Sequence, residues 1–177
     1  MKHLLIAATL LAATPALADE SHGTLNPDEM TWQRFLERAD EGETGMVLCS
    51  MGYALTKSGD HASARKLFEN CAAAGYTGAM TWMSQLDNNG LGAPENPDAA
   101  AEWDRQAAEA GDPVGQFNYG LDLIRGHGVA RDEARGRALV DEAAEAGLDV
   151  ARQLQQGGYD PRTVTPDADE WKYAPLF

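Results

Sequence analysis

A five-residue phrase returns at a fixed interval along this chain: Cys71-Ala-Ala-Ala-Gly75, Ala107-Ala-Glu-Ala-Gly111 and Ala143-Ala-Glu-Ala-Gly147. The closing glycines stand 36 residues apart in both steps. A unit of that length cannot bury an apolar face by itself. A period in this range therefore specifies a stacked array in which each unit covers the next. It also turns the functional question towards surfaces that hold other proteins and away from a catalytic pocket.

Each unit reads as two helices. Fifteen residues before each phrase glycine stand Asp60, Asn96 and Asp132, all preferred helix N-caps. Pro97 follows Asn96 at the first helical position, where its missing N–H costs nothing. Four residues past the caps are Ala64, Ala100 and Gly136, and seven past them Leu67, Trp103 and Leu139. Small and large residues alternating at helical spacing predict a close helix–helix contact. The phrase glycine then stops the helix. Upstream lies a first helix, clearest in Gly115-Gln-Phe-Asn-Tyr-Gly120 with Leu121 to Arg125 behind it, closed by Gly126-His-Gly128-Val129. The middle unit closes with Gly90-Leu-Gly92. A Gly-x-Gly pair lets a short loop reverse the chain. The first unit lacks that loop and runs from Lys57-Ser-Gly59 straight into Asp60.

These positions resemble the Sel1-like repeat, a relative of the tetratricopeptide repeat. The third unit carries the pattern at Gly115, Tyr119, Gly120, Gly126, Gly128, Val129, Asp132, Ala143, Ala144 and Gly147. The middle unit matches at Ala79, Gly90, Gly92, Asn96, Ala100, Trp103, Ala107, Ala108 and Gly111. In the first unit Gly52, Ala64, Phe68 and Cys71 fit tetratricopeptide spacing more closely. The expected fold is all-α: a right-handed α-solenoid of about three helix hairpins, at about 42–75, 76–111 and 112–147, between N- and C-terminal capping helices. What matches are packing and turn positions, so the resemblance specifies architecture and no activity.

The flanks divide as follows. Lys2 and His3, an apolar run from Leu4 to Ala13 and Ala16-Leu17-Ala18 read as a secretory signal over residues 1–18, cut before Asp19. Residues 19–25 read as disordered. Asn26-Pro27-Asp28-Glu29 offers a cap, a proline at the first position and acids in the first turn. Trp32, Phe35, Leu36 and Ala39 follow as one apolar stripe, predicting an N-terminal capping helix. Residues 149–156 predict the C-terminal cap, and the repeat domain spans 26–157. A Pro- and aromatic-rich tail, 158–177, ends in Trp171, Tyr173, Leu176 and Phe177. Either it folds back on the array or it is a docking peptide for a partner.

Formal net charge is −14, and loss of Lys2 with the signal makes it −15. Such a surface opposes nucleic acid and anionic membranes and favours basic partners. Cys49 and Cys71 are the two cysteines. In an oxidising compartment their even number suggests a bridge, with two buried thiols as the alternative. No metal spacing links His22, His61 and His127, and no cofactor motif occurs, so neither metal nor cofactor is expected. Ser63-Ala-Arg-Lys66 and Lys57-Ser-Gly59 imitate a penicillin-type nucleophile set. They stand in the wrong order and without Ser-Asp-Asn, so no catalytic residue is expected.

In the resemblance, first helices line a concave groove. The partner groove expected from this register comprises Tyr53, Thr81, Gln85, Asn88, Phe117, Leu121 and Ile124. For the last three, ordinary core packing of the third repeat is the competing account. The signal segment implies a periplasmic or secreted protein, and the family resemblance implies a protein-binding module, an adaptor or regulator. The alternative is a structural subunit of an exported enzyme complex, with a stand-alone hydrolase a distant third.

Overall fold

The carbonyls of Cys71, Ala107 and Ala143 each accept a hydrogen bond from the residue just past the phrase glycine: Tyr76 at 3.0 Å, Asp112 at 3.1 Å and Leu148 at 3.0 Å. Between donor and acceptor, Gly75, Gly111 and Gly147 take φ of 90°, 83° and 104°. This Schellman closure needs a left-handed residue, which any Cβ would strain. The period of the sequence is thus the period of its helix ends.

The structure is a computed structural model that describes residues 31–164, all within a unit beginning at Thr31. Among the described residues there are eight α-helices and no strand. They are α1 (Trp32–Asp40), α2 (Met46–Ser58), α3 (His61–Ala73), α4 (Thr77–Asn88), α5 (Pro97–Glu109), α6 (Pro113–Arg125), α7 (Glu133–Glu145) and α8 (Asp149–Gln156), followed by a 3-10 turn at Pro161–Thr163. The pairs α2/α3, α4/α5 and α6/α7 form three stacked hairpins, with α1 against α2 and α3 and α8 against α7. Asp60, Asn96 and Asp132 cap α3, α5 and α7, each accepting from the N–H three residues on, at 3.2, 3.2 and 3.1 Å. Along the array α2 touches α4 and α4 touches α6, an approach that α3, α5 and α7 do not match. The first helices therefore lie on the inner side of the curve.

Two devices hold neighbouring units together. The Gly-x-Gly loop of each later unit lies on the first turn of the preceding unit's second helix. A Cβ on Gly92 would stand 3.0 Å from the carbonyl of His61, and one on Gly128 only 2.0 Å from that of Pro97. Within each hairpin, the helices cross where one of them gives up bulk. A Cβ on Gly52 would strike the ring of Phe68 at 2.3 Å, and one on Gly120 would meet the carbonyl of Gly136 at 2.8 Å and Val140 at 3.0 Å. In the middle hairpin the same crossing holds Ser84 and Asp104, hydrogen bonded at 2.5 Å.

The N-terminal cap differs from expectation. Its helix starts at Trp32, because Thr31 is extended and its hydroxyl accepts from the N–H of Arg34 at 3.2 Å. The expected start at Asn26–Glu29 lies outside the described residues, as do the expected signal, residues 19–25 and the end of the tail. Phe35 and Ala39 are buried and Leu36 packs beside them, as the stripe predicts. After α8 the chain turns back. Val164 is buried among Phe117, Leu121 and Leu154, and Arg125 donates to the carbonyls of Pro161 at 2.9 Å and Val164 at 3.3 Å.

Cys49 and Cys71 form a disulfide across 22 residues, tying α2 to α3, and both are fully buried. In the chain-entropy picture a loop of this size stabilises by about 3 kcal/mol. Replacing both cysteines by serine should lower the unfolding free energy by about that amount or more, read from urea denaturation. An unchanged midpoint would show that the bridge contributes nothing to the folded array.

Candidate functional site

The inner layer of α2 and α4 presents an aromatic wall. Tyr53 and Trp82 meet edge to face with centroids 5.4 Å apart, and Trp82 stacks on buried Phe68 at 5.9 Å. Tyr53 and Trp82 are both half-buried, so each keeps part of its surface exposed. The Lys57 ammonium stands 5.4 Å from the Tyr53 ring centre. Such rings offer large rigid apolar area with little side-chain entropy to lose, which suits them to binding.

Polar residues continue the wall along α4. Gln85 and Asn88 are half-buried, and the Asn88 side chain pairs with the His127 ring at 2.9 Å. His127 belongs to the loop after α6, so the pair ties that loop to the inner layer. Thr81 is buried, its hydroxyl donating back to the Gly78 carbonyl at 3.0 Å. It supports the wall from beneath.

Phe117, Leu121 and Ile124 require a correction. They are at most 4% exposed and pack on Val140, Ala143 and Ala144 of α7 and on Ala151 and Leu154 of α8. The physical reason is the glycine crossing of α6 and α7. Gly120 and Gly136 bring the two backbones so close that α6 is enclosed, with Tyr119 and Leu123 covered on its other side by Ala108, Val129 and Leu139. These three side chains are core, and of the expected groove Tyr53, Gln85 and Asn88 keep solvent-facing surface. The tail residues Trp171, Tyr173, Leu176 and Phe177 lie outside the described residues.

Beneath the wall lies a polar interior absent from the sequence-based expectation. Asp104 accepts from the Ser84 hydroxyl and, at 3.2 Å, from the Asn118 amide. Full burial pushes its carboxyl well above the ordinary range, and nearby Asp122 pushes the same way. Asp122 is itself buried, one carboxyl oxygen has no hydrogen-bond partner, and burial raises it to about 7 against the opposing pull of Arg125. Asp112 is satisfied by the N–H groups of Val114 and Gly115 and by Thr77, and buried Asp87 is paired with Arg65. The signal for Asp104 was present: Phe68 and Val140 occupy its place one period away on either side, and both are buried.

The residues of the penicillin-type pattern have local structural partners. Ser63 sits in the first turn of α3 with its N–H held by Asp60, and the Lys66 ammonium donates to Asp40 at 2.6 Å. Lys57-Ser-Gly59 is the end of α2, with Gly59 left-handed as its cap. Among the described residues no group of three or more His, Cys, Asp or Glu could hold a metal ion.

The raised Asp122 gives a pH test. Its folded value of about 7 exceeds the unfolded one of about 3.9, so the folded state holds the proton more tightly. The associated stability is present below about pH 4 and is lost as pH rises through 7. Asp122→Asn cannot lose a proton there. Its unfolding free energy should gain on that of the wild type by about 1 kcal/mol or more between pH 5 and pH 8. An equal difference at both pH values would show that Asp122 does not titrate in that window.

No family model and no curated protein matches the chain. Solved structures do. One is a protective antigen of uropathogenic Escherichia coli strains displaying the SLR fold, with TM-score 0.62, 26% identity, and coverage of 78% of this chain and 31% of that one. Another is a Sel1 repeat protein from Oxalobacter formigenes, with TM-score 0.62, 19% identity, and coverage of 80% and 58%. The chain thus spans about a third of one neighbour and under three-fifths of the other. Helix order, caps and loop glycines follow the Sel1-like pattern, and the chain shares its helical solenoid fold with these Sel1 repeat structures.

Proposed function

We propose that this chain is an exported, periplasmic protein-binding module, an adaptor or regulator that takes a segment of another protein on the inner layer of α2 and α4. One observation carries the reading. The Tyr53–Trp82 pair keeps solvent-facing aromatic surface beside half-buried Gln85 and Asn88, on a scaffold stiffened by a buried disulfide. A preformed wall of this kind binds without a large ordering cost, and amides along one side give direction to an extended segment. Sel1 repeat proteins are generally protein-interaction modules, which supports the same reading. The disulfide supports an oxidising compartment. So does a structural neighbour that is an antigen. Among the described residues no helix is long and apolar enough to cross a membrane.

The test is capture from native periplasmic extract with the tagged chain and with the triple variant Y53A/Q85A/N88A, read by quantitative mass spectrometry. The wild type should enrich one protein in a reproducible ratio, and the variant should retain at most about a tenth of it, as for loss of a central aromatic anchor. No enrichment, or equal enrichment by both, would overturn the reading.

A further inference from the structure

The described chain ends against α6 and α8. Val164 is buried against α6 and α8, and Arg125 fastens the carbonyls on either side of the 3-10 turn. Thirteen residues follow it, carrying Asp167, Asp169 and Glu170, then Trp171, Tyr173, Leu176 and Phe177. We propose that the inner face of α2 and α4 is a docking site for the chain's own C-terminal segment, residues 165–177, which an outside partner must displace.

Reach allows it. Packed helices lie about 8–10 Å apart, so the path from Val164, between α6 and α8, past α6 and α4 to α2 spans roughly 20–30 Å. At about 3.3 Å per residue, the thirteen residues 165–177 extend to roughly 43 Å. The aromatic residues of the segment can therefore reach the aromatic wall.

Chemistry agrees with reach. Met46, Ser50, Tyr53 and Lys57 fall on one stripe of α2 at helical spacing. Met46 is 56% exposed, and with Val47 it makes up the exposed large apolar side chains among the described residues. That stripe offers an apolar end, an aromatic centre and a cation. The segment offers acids followed by aromatics. In a chain of net charge −14, a cation beside a half-buried ring is a scarce place for an acidic–aromatic segment to settle. Burying two or three aromatic side chains there removes apolar area from water. The seat stands on the geometry of this chain alone; its competition with a partner rests on the binding reading above, and a competing partner would carry acids next to aromatics in the same order.

The experiment is intramolecular photo-crosslinking in the full chain. Trp171 and, separately, Phe177 are replaced by p-benzoylphenylalanine, and the products are mapped by mass spectrometry. The expected result is a crosslink to residues 46–57 or 82–88 in the monomer, at a yield independent of protein concentration. Lys57→Glu, at an exposed position, should cut that yield at least fivefold while leaving helical content unchanged. Tyr53→Ala should do the same. Crosslinks found in a dimer would overturn the proposal in favour of a second copy. Crosslinks to other elements, or none, would overturn it outright. The crosslink needs no partner, so its failure leaves the binding reading standing, and a failed partner capture leaves the crosslink standing.

Discussion

Where the two helices of a hairpin cross, one must surrender its side chain for the other to pass. Everything else in the array follows from that crossing. Three solutions occur: Gly52 under Phe68, Ser84 bonded to Asp104, and Gly120 against Gly136 and Val140. The first and third are dry and close. The middle one is polar, and it draws in Asn118 from the next unit. A buried carboxyl is tolerable only when its hydrogen bonds are met or its proton is kept, and Asp104 has both conditions on its side. The middle crossing is therefore held by directional bonds, while the crossings in the first and third hairpins are held by shape.

Local signals were legible and long-range cover was not. Caps such as Asp60, Asn96 and Asp132 act within one turn, and so do the phrase glycines. Residue type and spacing were therefore enough to place six helix ends. The start of α1 was less tractable, since Asn26 and Thr31 are both good caps and only the chain's path chooses between them. Asp104 sits in the run Trp103-Asp-Arg-Gln106, which reads as solvated helix when taken alone. Only its neighbours at one period, Phe68 and Val140, mark the slot as inward. Phe117, Leu121 and Ile124 mislead for the opposite reason. Register transfers position from one repeat to the next but carries no information about which later element lies over it, and here α7 and α8 do.

The candidate binding face was partly legible for a related reason. Tyr53, Gln85 and Asn88 were found by register, because the inner layer is the same in every unit. Trp82 was not, since a tryptophan in a helix reads as core. Its place comes from standing between Phe68 and Tyr53, an arrangement across three helices.

The loop contacts also set how such a chain can change in length. Gly92 rests on the start of α3 and Gly128 on the start of α5, so every loop is fitted to the helix one unit back. Excising residues 76–111 would carry the Gly128 loop onto His61, a seat already shaped for a glycine. Excising a fraction of that period would leave a loop facing a side chain or a helix face turned to water. Growth and loss in this architecture are thus quantised: whole periods are interchangeable, and fractions of a period are not.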